Sequence, residues 1–180
     1  MKLYLLFIYN IIRIFVIKLR HGGRVSVHWV QRISPSCVLH LYEKGYLQIG
    51  KNCQFEAGCD LQTHGTGRLA IGQRVYMNRY CMVSAHGSVE IGDHCIFGPG
   101  VKIFDNNHRF TKSNGACPSI DAGRIKIGHN CWIASNVIIL KGTDIGDNCV
   151  IGAGCIIKDV IPSGSLVRPC CKNEIEPIRS

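Results

Sequence analysis

A six-residue repeat is the feature of this sequence that most constrains its fold. The large apolar position recurs at consecutive six-residue steps in the C-terminal half, at Ile127, Ile133, Ile139, Ile145, Ile151 and Ile157. The same six-residue spacing holds within four earlier runs, at Ile49, Phe55 and Leu61, at Ile71, Met77 and Val83, at Ile91, Phe97 and Ile103, and at Ile33 and Leu39. This period fits neither an amphipathic helix nor an alternating strand. Each unit predicts a short strand and a turn, so that three units close one triangular coil of eighteen residues.

The other positions of the repeat support a parallel β-helix. Glycine directly follows the large apolar residue at Gly50, Gly72, Gly92, Gly98, Gly128, Gly146 and Gly152. A small or β-branched residue stands four places after it, at Cys53, Cys59, Val75, Cys81, Cys95, Val101, Cys131, Val137, Cys149 and Cys155. We expect the large side chains to stack inside the prism, glycine and asparagine to accept the corner geometry, and backbone hydrogen bonds to join successive coils. A β-sandwich would not keep one phase over residues 127–157.

Cysteine content and charge narrow the possible environments and partners. The chain has eleven cysteines, yet no pair has CxxC spacing, and most occupy the small position of the repeat. They are therefore predicted to be small core residues in a reducing compartment rather than disulfides or zinc ligands. The 21 Lys and Arg against 12 Asp and Glu leave a formal charge of +9 that is spread thinly. This suits anionic small molecules or an anionic membrane surface, and no nucleic-acid-binding motif accompanies it.

Residues 1–24 form an apolar N-terminal segment that carries Lys2, Arg13, Lys18 and Arg20. No small-residue cleavage site follows the apolar run and Arg13 interrupts it, which argues against a signal peptide. The run is also marginal for a membrane span, which needs about 20 apolar residues. We therefore predict an apolar or amphipathic helix that covers one edge of the solenoid. Two positions remain open for it: packed on the body or on a neighbouring subunit, or lying on the cytoplasmic face of a membrane.

A second motif lies within the repeat. Residues 127–135 read IGHNCWIAS, and IGDN at 145–148, IGAG at 151–154 and Lys158-Asp159 follow. This pattern resembles the signature of the hexapeptide-repeat acyltransferases, such as the maltose and galactoside O-acetyltransferases, the streptogramin acetyltransferases and the O-acetyltransferases of bacterial surface-polysaccharide clusters. The resemblance covers roughly residues 47 to 164. It implies left-handed coils, acetyl-CoA as acyl donor, no required metal, and a homotrimer with the CoA groove between subunits.

The longest interruption of the repeat lies between Ile103 and Ile125. Residues 104–110 read FDNNHRF, and a polar loop follows before the repeat resumes. Chemistry is often placed on a loop that leaves a rigid scaffold. The resemblance implies that the histidine at the head of this loop, His108, is the catalytic base, because a sugar hydroxyl needs a neutral imidazole to remove its proton. Asp105 and Asn107 are expected to orient the imidazole, and Asp105 is also a candidate for binding the acceptor.

The resemblance assigns further residues to the two substrates. For CoA it implies a groove and phosphate contacts from Trp132, Ala134, Ser135, Lys141, Ala153, Lys158 and Arg168. For the acceptor it implies Asn78 and, at the position where the galactoside enzymes have an aspartate, His86. A second departure lies near the C-terminus, where residues 166–171 replace the family's small-residue and proline motif. These departures leave the acceptor and the adenine end of the CoA site less defined than the catalytic base.

The sequence therefore predicts an N-terminal helix at 1–24, a parallel β-helix at 25–161 with an inserted loop at 105–124, and a C-terminal tail at 162–180. The predicted function is acetyl-CoA-dependent O-acetylation of a sugar, free or lipid-linked, in surface-polysaccharide biosynthesis by a cytoplasmic protein with peripheral contact to the inner membrane. N-acetylation of an amino sugar, antibiotic acetylation and a non-enzymatic scaffold are the alternatives. A γ-class carbonic anhydrase would need two histidines five residues apart, and no pair has that spacing.

Overall fold

Short strands stacked in three parallel sheets form the body of the molecule. The structure is a computed structural model that describes residues 3–170, and it shows a β-solenoid of about 6 turns preceded by one helix. The helix α1 spans Leu3–His21, and a single 3-10 turn spans Gly22–Arg24. The predicted parallel β-helix with an N-terminal helix is therefore confirmed.

Within residues 3–170, twenty-two strands follow the helix. The first twelve are β1 Val25–Val27, β2 Arg32–Ile33, β3 Val38–Leu41, β4 Tyr46–Ile49, β5 Gln54–Phe55, β6 Asp60–Thr63, β7 Arg68–Ile71, β8 Tyr76–Met77, β9 Met82–Ala85, β10 Ser88–Ile91, β11 Ile96–Phe97 and β12 Lys102–Phe104. The remaining ten are β13 Asn106–Thr111, β14 Gly115–Ala122, β15 Arg124–Ile127, β16 Trp132–Ile133, β17 Ile138–Leu140, β18 Asp144–Ile145, β19 Val150–Ile151, β20 Ile156–Ile157, β21 Val160–Ile161 and β22 Leu166–Val167.

Every third strand of the solenoid belongs to the same sheet. Sheet 1 has the order β1-β4-β7-β10-β15-β18-β21, sheet 2 has β2-β5-β8-β11-β16-β19-β22, and sheet 3 has β3-β6-β9-β12-β17-β20. Equivalent positions of the repeat pair in register, as in Phe97↔Ile133 and Ile133↔Ile151. The large repeat residues from Ile33 to Ile157 are buried, with Leu39 packed partly buried against them. The side chains of the repeat thus form one continuous core along the axis.

The coil length differs from the uniform eighteen residues predicted from the hexads. Ile127 pairs with Ile145, eighteen residues on, but Leu47 pairs with Leu69, twenty-two residues on. The added residues lie where a sheet 3 strand turns into the next sheet 1 strand, which we call the 3–1 corner. There the N-terminal coils have four-residue strands with an additional inward side chain, such as the buried Thr63. The prism is therefore wider at its N-terminal end.

The repeated glycines are required for a reason other than the predicted corner conformation. A Cβ atom added to Gly92 would lie 2.6 Å from the carbonyl carbon of Gly128 in the next coil, and a Cβ on Gly50 would lie 2.6 Å from that of Gly72. Neither residue has positive φ; the left-handed conformation falls two residues later, at Asn52 after Gly50 and at His94 after Gly92. Glycine therefore allows close contact between coils, and the residue two places later provides the turn.

The cysteines of the repeat are confirmed as core residues. Cys53, Cys59, Cys81, Cys95, Cys131, Cys149 and Cys155 are buried. Several thiols donate hydrogen bonds to backbone carbonyls of the next coil, as Cys53 does to Gly72 at 3.2 Å and Cys95 to Gly128 at 3.0 Å. Burial raises the pKa of Cys53 to about 11 and that of Cys37 to about 12. The thiols of Cys37 and Cys53 are therefore protonated at neutral pH and act as small packing groups.

Helix α1 lies against the first strands of the solenoid. It contacts β1 and β2, and Ile14 inserts into the core. Its buried Asn10 donates a hydrogen bond from Nδ2 to the carbonyl oxygen of Ile33 at 3.0 Å, and Arg13 donates to the carbonyls of Ser34 and Cys37. The helix therefore covers the open edge of the first coil, as we expected of the segment. Within residues 3–170, no helix combines the length and apolarity needed to cross a membrane.

The parallel pairing continues beyond residue 161 to the strand β22, which pairs with β19 through Val150↔Leu166. Part of the predicted C-terminal tail at 162–180 is thus a further rung of sheet 2. The rest of that tail, residues 171–180, lies outside the described residues, and so does Cys171 of the 166–171 segment.

Candidate active site

The interruption of the repeat is an ordered antiparallel hairpin. Strands β13 and β14 pair with each other and project from the 3–1 corner between β12 and β15. Most of their residues are exposed, including His108. Gly123 ends the hairpin and returns to the solenoid, where its N–H donates to the Asp105 carbonyl at 2.7 Å. The predicted loop at 105–124 therefore has a defined geometry that can hold a side chain in place.

A register shift in this hairpin brings a carbonyl group to the imidazole of His108. Pairing runs from His108↔Ile120 to Phe110↔Ala116, so β14 carries two additional residues around Pro118. Such a bulge re-aims nearby groups, and proline fits it because proline has no N–H to donate to the ladder. The Nδ1 of His108 lies 3.2 Å from the carbonyl oxygen of Cys117.

This contact determines the tautomer of His108. A carbonyl oxygen only accepts hydrogen bonds, so Nδ1 must carry the proton and donate it to Cys117. In the neutral ring Nε2 is then unprotonated and can accept a proton. No residue within 3–170 hydrogen-bonds this second nitrogen, and the side chain is exposed. The arrangement is what a general base requires.

Asp105 has a different set of contacts from the one we expected. Its side chain is fully buried, and its two carboxylate oxygens accept hydrogen bonds from the backbone N–H groups of His86 and Gly87, both at 2.8 Å. Neither oxygen is hydrogen-bonded to His108. Asp105 therefore holds the turn of the preceding coil, and Cys117 takes the orienting position beside the imidazole. Asn107 is exposed and pairs through its backbone with Asp121.

His86 belongs to a column of rings at the 3–1 corner. Its ring stacks on His64 at 4.3 Å between centroids and 6° between planes, and His64 stacks on Tyr42 at 4.7 Å. Burial, then the neighbouring imidazoles of His64 and His108, lower the pKa of His86. The lowered pKa favours the neutral form of the His86 ring, which lies near the catalytic candidate.

Most of this column was not predicted from the sequence, and neither were the contacts that Asp121 and Cys117 make in the hairpin. The rings of the column recur every twenty-two residues, at Tyr42, His64 and His86. This spacing equals the coil length in this region, so it could have indicated that the three rings stack on successive coils.

Asp121 of the hairpin forms an ion pair with Lys141, which holds the pKa of Asp121 below its usual range. Lys141, implied as a CoA phosphate ligand, thus has a partner within the chain. The sequence could not indicate that Cys117 orients the imidazole, because only its backbone carbonyl makes the contact with His108.

Most of the other residues implied for CoA lie on or beside a different corner, where sheet 2 strands turn into sheet 3, which we call the 2–3 corner; Lys158 instead follows β20 at the 3–1 corner. Ser135 and Ala153 are adjacent at the 2–3 corner, since Ile133 pairs with Ile151 and Gly154 donates its N–H to the Ser135 carbonyl at 3.0 Å. Ala134 precedes Ser135 on the same rung, the exposed Arg168 lies on the rung after Ala153, and Trp132 is half exposed on the outer face of sheet 2. The arrangement is a shallow surface of small residues beside an aromatic ring.

The implied site residues therefore fall into two groups within one chain. His108, Asp105, Asn107, His86, Lys141 and Lys158 lie at or beside the 3–1 corner, and Ser135, Ala134, Ala153, Arg168 and Asn78 lie on the 2–3 corner. Asn78 occupies the rung before Gly98, because Met77 pairs with Phe97. Its Oδ1 accepts the N–H of Arg79 at 2.8 Å. Sheet 3 separates the groups, so one chain does not bring them together.

Comparison with known proteins agrees with the repeat and the fold. Residues 124–159 match the family described as bacterial transferase hexapeptide (six repeats). A segment of 80 residues is 41% identical to the galactoside O-acetyltransferase of Escherichia coli, covering 42% of this chain and 38% of that protein. A segment of 89 residues is 29% identical to the putative lipopolysaccharide biosynthesis O-acetyl transferase WbbJ of Escherichia coli, covering 44% of this chain and 45% of that protein. The matching segments thus span less than half the length of these relatives.

A solved structure extends the comparison of the fold to most of the chain. A variant of AntD, an N-acyltransferase from Bacillus cereus, in complex with dTDP-4-amino-4,6-dideoxyglucose and coenzyme A, superposes with a TM-score of 0.68 at 18% identity. The superposition covers 86% of this chain and 82% of that one, and at this identity it concerns the fold. The predicted resemblance to the hexapeptide-repeat acetyltransferases is confirmed, with the six-repeat transferase motif at residues 124–159 on a parallel β-helix.

Proposed function

We propose that this protein is an O-acetyltransferase that transfers the acetyl group of acetyl-CoA to a sugar hydroxyl, with His108 as general base. The observation that carries the proposal is the hairpin geometry of His108, whose Nδ1 is held by the Cys117 carbonyl while Nε2 faces outward. The 80-residue likeness to a galactoside O-acetyltransferase supports the reaction class. The mechanism needs no metal ion.

The proposed chemistry is a direct transfer. Nε2 of His108 removes the hydroxyl proton while the hydroxyl oxygen attacks the thioester carbonyl carbon. The C–O bond forms, the oxyanion collapses, the C–S bond breaks, and the CoA sulfur leaves with the proton from the imidazolium. A backbone N–H or the Ser135 hydroxyl at the 2–3 corner would stabilise the oxyanion. Ala153 and Trp132 would line the pantetheine groove, with Ala134 beside them and Lys141, Lys158 and Arg168 as phosphate partners. His86 and Asn78 would contact the acceptor.

The separation of the two residue groups supports a homotrimer. If the 3–1 corner of one subunit faces the 2–3 corner of the next, the base and the CoA groove meet at the interface. Sheet 2 offers a surface for such contact, because its outward residues Tyr76, Ile96, Trp132, Val150 and Leu166 are apolar and pair in register along five rungs. We define these five residues as the sheet 2 stripe. An exposed stripe of this kind is typical of a subunit interface.

The proposed setting is the modification of surface polysaccharide by a cytoplasmic enzyme that contacts the inner membrane peripherally. Its support is the likeness of one segment to the putative lipopolysaccharide biosynthesis O-acetyl transferase. An amino sugar is the alternative acceptor. Assaying matched acceptors that carry either a hydroxyl or an amine at one position separates the two, and a preference for the amine would replace the O-acetyl assignment.

His108→Ala tests the proposed base. We expect kcat for acetyl transfer to fall by about 10² to 10⁴, with little change in CoA affinity, because the lost interaction belongs to the transition state. Initial rates with acetyl-CoA and a titration with CoA measure the two quantities. The matched control is His129→Ala, which removes an exposed imidazole at another corner and should leave the rate unchanged. A correctly assembled His108→Ala protein with a rate within about threefold of the parent would exclude the assignment.

A further inference from the structure

We propose that the outer face of helix α1 docks the protein on an anionic lipid bilayer. Two polar residues in the middle of the helix, Asn10 and Arg13, face inward and donate hydrogen bonds to carbonyl groups of the first coil. Its outward residues are apolar and exposed: Tyr4, Leu5, Ile8, Tyr9, Ile11, Ile12, Phe15, Val16 and Leu19. We call this set the outer face. An apolar face of this size on the end of a protein marks an interaction surface.

The charge around the outer face favours lipid as its occupant. Helix α1 contains no acidic residue, and its last turn carries Lys18, Arg20 and His21. Arg24 lies three residues after His21, and the whole chain has a formal net charge of +9. Cations beside an apolar helical face attract anionic headgroups while the apolar side chains enter the boundary of the acyl chains. The surface thus provides both the electrostatic and the hydrophobic contribution to peripheral membrane binding.

A second α1 helix is a less favourable partner for the outer face than an anionic bilayer. Antiparallel pairing of two α1 helices would place Lys18 and Arg20 of one beside the N-terminal end of the other, where the helix dipole is positive. Parallel pairing would bring the two cation clusters together, again without an acidic partner in the helix. Either arrangement of two helices leaves like charges opposed, whereas an anionic bilayer neutralises them.

Trp29 lies at the edge of the docking surface, and tryptophan is a residue type that is favoured at membrane interfaces. Lys18 Nζ lies 4.2 Å from the centre of the Trp29 ring, and Trp29 is 43% exposed beside the helix. Tryptophan and lysine are favoured at the level of the headgroups, where an apolar body meets a polar boundary. Trp29 therefore lies where it would enter the interface when the outer face docks.

Docking of this face would orient the solenoid away from the membrane. The hairpin begins after β12, three rungs from β3 in the sheet 3 order. With rungs about 4.8 Å apart, this places the hairpin about 14 Å beyond the first coil. A saccharide carried on a lipid would reach His108 from the same side. The access of a lipid-carried saccharide to His108 rests on the proposed function, whereas the binding of the outer face to lipid does not.

Vesicle co-sedimentation with the full chain tests the docking without acceptor or acetyl-CoA. We expect binding to vesicles of phosphatidylglycerol mixed with phosphatidylcholine to be at least about tenfold stronger than to phosphatidylcholine alone, since each cation near an anionic surface contributes about fivefold. Raising the salt from about 0.1 M to 1 M should weaken the binding. Ile8→Ser/Phe15→Ser should reduce it by about tenfold or more, because two apolar side chains no longer enter the lipid.

The matched control is Ile156→Ser/Val160→Ser, which removes two exposed apolar residues at the opposite end of the solenoid and should bind vesicles as the parent does. Equal binding by the outer-face variant and the parent would overturn the proposal. A lower particle mass for the outer-face variant, measured without lipid, would also overturn it, since the face would then bind another copy. Failure of acetyl transfer with intact vesicle binding would contradict only the proposed function.

Discussion

At the scale of single residues, contacts between successive coils determine which amino acids the repeat accepts. Gly92 lies so close to Gly128 that no Cβ fits between the two backbones. Asp105 shows a different kind of constraint, because its buried carboxylate provides acceptors for two backbone N–H groups that would otherwise lack them. Both residues therefore support the backbone of a neighbouring coil.

Gly92→Ala should destabilise the protein by about 1–3 kcal/mol, because the new Cβ overlaps backbone atoms that cannot move without disrupting the coil. The change in unfolding free energy can be measured by denaturant titration. Gly23→Ala is the matched control, since a Cβ at Gly23 meets no atom within 4 Å and the residue has no positive φ. Its effect should stay within about 0.5 kcal/mol. An equal effect of the two substitutions would contradict the close-contact explanation.

At the scale of elements, the hairpin and the 3–1 corner act together. The hairpin is attached to the solenoid through Lys141 and Asp121, and the turn beneath it is held by Asp105. The ring of His86 lies at that turn, close enough to His108 for the two imidazoles to influence each other electrostatically. The pKa of His86 therefore depends on the hairpin and the solenoid corner together.

Stability should depend on the ionisation of His86. Its folded pKa is lowered, so the unfolded chain binds the proton more readily, and stability should fall as the pH drops below the ordinary imidazole value of about 6.5. The loss should level off below the folded pKa. Nearby His64 and His108 reinforce this direction, while Asp105 and Glu43 oppose it.

His86→Phe keeps a stacking ring without an ionisable group and should flatten the dependence of Tm on pH between about 5 and 7. Part of the slope should remain, because burial also lowers the pKa of His21. His94→Asn, which removes an exposed imidazole at a distant corner, is the control and should keep the parent's slope. A variant at His86 with an unchanged slope would show that this group does not titrate as proposed.

At the scale of the whole molecule, the proposed site depends on assembly. The two residue groups lie on separate corners of one prism, and the sheet 2 stripe offers apolar surface between subunits. A cyclic trimer would also place the three α1 helices at the same end, so that docking would use three outer faces at once.

Ile96→Arg should dissociate the assembly, because it introduces a charge into the middle of the sheet 2 stripe. Light scattering should change from three times the 19.9 kDa chain mass to a single chain mass. Acetyl transfer should be lost in parallel, since His108 would no longer face a CoA groove. Val160→Arg, on an exposed position of sheet 1, is the control and should remain trimeric and active. A parent protein that is monomeric and active would exclude the shared site.

The sequence alone determined the fold class, because a six-residue period with small residues at fixed positions has one regular solution, in which large side chains stack inside a prism. It also located the inserted segment that carries His108, since a break in a strict period is visible without coordinates. Which groups are in contact, by contrast, follows only from the three-dimensional fold. The Cys117 carbonyl, the buried carboxylate of Asp105 and the ring column through His64 depend on register between segments far apart in the chain. The separation of the two residue groups also appeared only in three dimensions, because equal spacing in sequence does not reveal which corner of the prism a residue occupies.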